Sequence, residues 1–295
     1  MPVLELDNIC IQYGGVKALD RLTLRVEVGE IHGLIGPNGA GKTTAINTVS
    51  GLCSPSSGTL LLHDQSFKPR TRKLAKAGIA RTFQAPSTFE SLNTIENVMV
   101  GGYSWTRSGL LSGMLRLPRA LDEERRLRAR AGELLDRIGL PFPHTTPIVA
   151  LPVGARRQVE LARALMSDPR LLLLDEPTGG LTQAEVDGLG RLLREIRDEA
   201  SGRLAVLLVE HNVPFVLSLC DSVTAMDSGR DIAHGTPIEV RQNGAVIHSY
   251  LGAGIAARPV QRIKTVPKPG STDRLGWRGV GGFSGILLGR AGVIR

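Results

Sequence analysis

Apolar and polar residues alternate through residues 3–30, with Val3, Leu4, Leu6, Ile9 and Ile11 followed by Leu22, Leu24, Val26 and Val28. A period of two predicts half-buried strands, and Gly14-Gly15 predicts the turn between them, so this stretch reads as short antiparallel strands. The apolar stretch Ile31 to Ile35 predicts a strand that runs straight into a glycine-rich segment. After that segment, Ala45 to Val49 continues a helix ending near Ser50-Gly51, and Thr59 to His63 predicts a strand entered from a Ser/Pro/Gly turn. Ile79 to Phe83 predicts a strand leading to Gln84. Leu127, Ala131, Leu134, Leu135 and Ile138 recur at helical spacing, so Leu121 to Ile138 reads as an amphipathic helix. Its arginines alternate with Glu123, Glu124, Glu133 and Asp136, the signature of a solvated face rather than an RNA-binding stripe. Val159 to Met166 predicts a second helix that stops before Asp168-Pro169. Leu171 to Leu174 and Leu204 to Val209 are apolar throughout, as in strands buried on both faces of a parallel sheet. Glu185 to Arg197 lies between them as the crossover helix such a pair requires.

Chemistry enters at the glycine-rich segment, Gly36-Pro37-Asn38-Gly39-Ala40-Gly41-Lys42-Thr43-Thr44. It fits G-x-x-x-x-G-K-[ST] in the context of strand, turn and helix start, which is the P-loop. Glycines let successive N–H groups converge on one anion, and the helix that follows adds the positive end of its dipole. Lys42 then reaches the β- and γ-phosphates of a nucleoside triphosphate, and the Thr43 hydroxyl ligates Mg²⁺. The fold class follows: α/β, a P-loop NTPase core with a mainly parallel central sheet, an N-terminal antiparallel β subdomain and an α-helical subdomain inserted over about 85–166. Asp175-Glu176 ends one apolar strand and Glu210-His211 the next, at the sheet edge where open α/β folds place ligands. Asp175 suits Mg²⁺ coordination beside Thr43, and Glu176 suits the general base that deprotonates the attacking water. His211 is placed to hydrogen-bond the γ-phosphate or the departing oxygen. Gln84 is a neutral group that can touch both metal and water, so it is a candidate catalytic and metal-binding residue.

The net charge of +8 changes the picture less than its size implies. Eight basic residues against Asp273 place +7 of it beyond residue 252, leaving the remainder near neutral, so no nucleic-acid partner is expected. Residues 253–295 read as a basic, Gly/Pro-rich, disordered tail on a nucleotide-binding domain spanning 1–252. Three scattered cysteines, Cys10, Cys53 and Cys220, lack metal-ligand spacing and read as reduced, buried thiols of a cytosolic protein. No secretory leader opens the sequence and no window is apolar enough to span a bilayer, so membrane association is expected only through partners.

The cradle, Gln84, the helical insertion, Leu151-Pro152-Val153-Gly154-Ala155, the Leu171–Glu176 strand and His211 follow one another in an order that resembles the nucleotide-binding subunit of ABC transporters. Tyr13–Asp20, Gly78–Gln84, Leu92–Val98, Val209–Asn212, Ile232–Pro237 and Tyr250–Gly252 resemble, within that family, the branched-chain amino acid importer ATPases and their urea and amide relatives. The resemblance implies ATP and Mg²⁺ as cofactors, and Tyr13 stacking on adenine. It implies a second ATPase subunit, in a homodimer or, by preference, a heterodimer, whose cradle is completed in trans by Gly154. Two membrane permeases, an external solute-binding protein and a location on the cytoplasmic face of the membrane are implied with it. The implied function is ATP hydrolysis that powers uptake of branched-chain amino acids or related amides. A lipid or lipopolysaccharide exporter ATPase and a soluble non-transport ATPase are the alternatives. Pro152 and Ala155 stand where the signature loop usually has Ser and Gln, and Thr182 where Asp or Asn is usual. These departures imply an asymmetric pair in which this chain weakens the site built on its partner's cradle.

Overall fold

The structure is a computed structural model that describes residues 1–82, 87–105 and 118–251. Expectations resting on Gln84 and on the tail 253–295 lie outside the described residues. Strand β1 (Pro2–Tyr13) pairs antiparallel with β2 (Val16–Glu27), and Gly14 turns between them at φ 58°. Both strands have twelve residues, longer than the short strands the alternation predicts. The physical reason is bulging: Asn8 (φ 51°) and Arg21 (φ 58°) adopt left-handed backbone near the register shifts, so the alternation slips and resumes without ending the ladder. Two further strands, β4 (Ser57–Leu62) and β5 (Gln65–Ser66), complete a four-stranded sheet ordered β2-β1-β4-β5.

The second sheet holds the predicted parallel core. It contains β3 (Ile31–Ile35), β6 (Ile79–Arg81), β7 (Leu171–Asp175), β8 (Ala205–Val209), β9 (Ser222–Asp227) and β10 (Arg230–Gly235), ordered β10-β9-β3-β8-β7-β6. All neighbours are parallel except β10, which closes the edge antiparallel to β9. Strands β9 and β10 lie beyond His211 and are not among the strands expected from the sequence. Every residue of β3, β7 and β8 is buried, and successive side chains enter different cores. Leu171 and Leu173 join the core shared with β1, β2 and α1 (Lys42–Val49), while Leu172 and Leu174 join the core beneath the helices on the opposite face. That double burial is why these strands carry unbroken apolar runs.

The helical face comprises α2 (Thr94–Met99), α3 (Pro118–Arg137), α4 (Val153–Leu165), α5 (Gln183–Glu199), α6 (Val213–Leu219) and α7 (Pro237–Gln242). Helix α4 starts six residues before the predicted Val159, because Pro152 caps it and its carbonyl accepts from Arg156 N–H at 3.0 Å. A proline there removes only an N–H that a helix start leaves unpaired. Helix α5 starts at a reciprocal Thr182/Glu185 capping box, which gives Thr182 a structural occupation at the position where the resemblance leads one to expect Asp or Asn. All three cysteines are free, but only Cys220 is buried, so the expectation of buried thiols fails for the half-buried Cys10 and Cys53. Among the described residues, no helix is long and apolar enough to cross a membrane.

Candidate nucleotide-hydrolysis site

The chain leaves β3 at Ile35, turns through residues 36–41 and enters α1 at Lys42. Gly41 sits at φ 101°, and a Cβ there would lie 2.6 Å from the Ala18 carbonyl oxygen of β2. Left-handed backbone and that close approach both require glycine. The loop is stitched to its surroundings: Ala40 N–H donates to Pro37 at 3.1 Å, Gly229 N–H to Ala40 at 3.0 Å and Asp20 N–H to Gly229 at 2.9 Å. Lys42 Nζ lies beneath the loop, donating to the carbonyls of Gly36 at 2.7 Å and Pro37 at 3.0 Å. An ammonium has three N–H groups, so among the described residues one is left over for an incoming oxygen. Burial pushes the Lys42 pKa down, against the opposing pull of Glu176 and Asp175. Thr43 is exposed on the first turn of α1.

Asp175 ends β7 almost fully buried. Its Oδ2 accepts from Arg81 Nη2 at 2.9 Å, and Arg81 Nη1 donates to Asn47 Oδ1 at 2.8 Å and Ser50 Oγ at 2.9 Å. The guanidinium therefore ties the carboxylate to the last turns of α1. Burial raises the Asp175 pKa, Arg81 opposes it, and neighbouring Glu176 adds to the rise. Glu176 sits at φ 47°, an unfavourable conformation for a residue with a Cβ. Its N–H donates to Val209 at 2.8 Å, and its carbonyl accepts from Gly179 N–H at 3.3 Å and Arg157 Nη1 at 3.2 Å. Glu176 Oε2 lies 3.8 Å from His211 Nδ1, so the predicted neighbours at the sheet edge do meet.

The structure thus brings together residues 36–44, Asp175, Glu176 and His211. Tyr13 lies exposed at the end of β1. The Cys53 thiol beside its hydroxyl raises the Tyr13 pKa, and Cys53 Sγ in turn contacts the Thr44 carbonyl at 3.6 Å. Gly154 stands apart: a Cβ there would meet Glu185 and Leu181 first, not the cradle of its own chain. Arg81 and Arg157 escape the sequence reading. A basic residue inside the short strand of an otherwise buried sheet is the available signal for Arg81. For Arg157, one arginine among many, there is none.

A phosphate cradle at the carboxyl end of β3, flanked by the acidic tip of β7, defines a P-loop nucleotide-binding cassette. A profile of the ABC transporter family matches residues 19–179. The high-affinity branched-chain amino acid transport ATP-binding protein LivG of Escherichia coli K12 is 35% identical over 252 residues, covering 85% of this chain and 98% of LivG. BraF of Pseudomonas aeruginosa, of the same description, is 34% identical with the same coverage. The arabinose import ATP-binding protein AraG 2 of Burkholderia thailandensis is 39% identical over 86% of this chain, but over only 46% of its own length. A nucleotide-free ATP-binding cassette from an ABC transporter superposes with TM-score 0.73 at 28% identity, covering 85% of this chain and all of that one. A transporter cassette in its ADP conformation gives 0.73 at 27% identity, over 85% of this chain and 99% of that one. The chain belongs to the ABC transporter ATP-binding family, whose members are ATPases.

Proposed function

We propose that this chain binds Mg²⁺-ATP in the 36–44 cradle and hydrolyses it to power uptake of branched-chain amino acids or related amides. The observation that carries this reading is the convergence of Lys42, Asp175, Glu176 and His211 on one sheet edge. The donor set fits the metal: a threonine hydroxyl and a carboxylate are hard oxygen ligands of the kind Mg²⁺ takes. No cluster of three His, Cys, Asp or Glu groups occurs among the described residues, so phosphate oxygens and water would supply the remaining ligands. Thr43 and Asp175 would hold the ion, with Gln84 from the segment after β6. Bound there, it would neutralise charge on the β- and γ-phosphates.

The protein's own contributions follow from its geometry. The cradle amides and Lys42 fix the triphosphate. Glu176 takes the proton of the water that attacks the γ-phosphorus as the bond to the ADP oxygen breaks. His211, beside Glu176, donates to the γ-phosphoryl oxygens and so orients them. Tyr13 packs on the adenine. Gly154 offers its amide to the cradle of a second cassette, which makes the working unit a dimer carrying two membrane permeases and fed by an external solute-binding protein. That unit sits on the cytoplasmic face of the membrane. Arabinose or another sugar is the second reading, favoured by the 39% identity with AraG 2. Purifying the native complex and measuring its ATPase activity with leucine, urea, short amides or arabinose separates the two. Stimulation by a sugar alone would overturn the amino acid reading.

A further inference from the structure

Glu210 has no part in the proposed chemistry, yet its side chain is completely buried beside Glu176 and His211. Its Oε1 accepts from Thr178 N–H at 2.8 Å. Its Oε2 accepts from His211 N–H at 3.1 Å and Asn212 N–H at 3.3 Å. The first bond holds the turn that follows Glu176; the other two hold the turn that presents His211. The His211 ring lies between two carboxylates, with Nδ1 3.8 Å from Glu210 Oε2 and 3.8 Å from Glu176 Oε2. The Glu210 backbone N–H donates to Leu34 at 3.3 Å, which anchors the assembly to the strand feeding the cradle.

We infer that Glu210 is the positioning residue that sets Glu176 and His211 relative to each other and to the cradle. The inference rests on the reading of Glu176 as the base that acts on the attacking water. Glu176 needs such support, since its φ of 47° persists only where the surroundings dictate it. Its own N–H, carbonyl and following turn are held by Val209, Gly179, Arg157 and Glu210. Glu210 also holds the His211 turn, through His211 N–H and Asn212 N–H. A carboxylate accepting from three amides is well matched to this task, because ionised acceptors form stronger hydrogen bonds than neutral ones. An amide of the same shape must turn an NH₂ toward one of the two turns, so it can hold only one of them.

The test uses Glu210→Gln in the full-length chain within its native complex, beside Glu176→Gln as reference. Glu210→Gln lowers kcat by about tenfold or more, as expected for a displaced general base. Its affinity for a fluorescent ATP analogue in EDTA stays within about twofold, because the cradle is untouched. Amide hydrogen exchange over 176–182 and 209–213 accelerates, while that of β3 does not. Unchanged kcat in a folded Glu210→Gln protein overturns the inference. So does parallel loss of kcat, nucleotide affinity and β3 protection, which marks a general packing role. Should the glutamine variant not fold, Glu210→Asp keeps the charge but withdraws the oxygens, and the same measurements decide. If Glu176→Gln turns over at the normal rate, the reading of the base has failed, a result distinct from either outcome at Glu210.

Discussion

Glu176 and Lys42 carry the sharpest expectations for single side chains. Glu176→Gln keeps the shape of the site but removes the proposed base, so turnover should fall about 10²–10⁴-fold while nucleotide still binds. Steady-state hydrolysis paired with fluorescent-nucleotide titration checks this. Lys42→Ala removes a charge-assisted hydrogen bond worth about 1.5–3 kcal/mol, which predicts roughly tenfold to a hundredfold weaker ATP binding in the same titration. Arg81→Ala acts differently, since it strands Asp175 as a buried, unpaired carboxylate. Breaking such a pair costs about 3–5 kcal/mol, so the variant should unfold at markedly lower urea, while Arg81→Lys retains part of the stability. Lys42 and Glu176 stand out in the sequence because a motif and a strand end frame them. Arg81 does not, because its partners Asn47, Ser50 and Asp175 are remote in sequence and meet only when β6 lies beside β7.

Loops and strands bring a second group of expectations. Gly41→Ala forces a Cβ against Ala18 at φ 101°, so nucleotide binding and thermal stability should fall together, unlike the Lys42 variant. Where β3, β9 and β10 adjoin, His32 is fully buried, with Nδ1 2.7 Å from Ser222 Oγ and Nε2 3.0 Å from Thr224 Oγ1. Burial pushes its pKa below the ordinary value. The unfolded chain therefore takes a proton near pH 6.5 that the folded one refuses, and stability should decline as pH falls below that point. Glu30 extends the decline: burial raises its pKa, but hydrogen bonds with His32, Ser222 and the backbone outweigh this and hold it at about 2. Its contribution is present above its unfolded value of about 4.5 and is lost between there and about 2. Thermal midpoints at pH 7.5, 5.5 and 4 should fall in that order, and a flat profile would contradict this account. The apolar runs of β7 and β8 are legible because they are buried on both faces, whereas the early start of α4 is hidden behind Pro152, whose residue type signals a break more readily than a cap.

The assembled molecule sets the remaining expectation. On the proposed role of Gly154, each site is completed by a second cassette. With hydrolysis blocked in Glu176→Gln, ATP should drive this closure, seen as an ATP-dependent shift to a compact dimer in sedimentation or as a locked complex with its permeases. Pro152 and Ala155 leave α4 intact from Val153 but offer no serine hydroxyl to a neighbouring γ-phosphate. If the pair is asymmetric, altering this chain's signature loop costs less turnover than altering the partner's, and equal losses would remove the asymmetry. The phosphate cradle, the acidic strand tip and the parallel core could all be read from the chain, because each depends on local spacing: glycines where the backbone must bend, apolar runs where both faces are covered. Folding alone settled which distant groups meet. Glu210 reaching the turn after Glu176 and Arg81 pinning Asp175 to α1 both arise from contacts between segments far apart in sequence, and no local pattern encodes those distances.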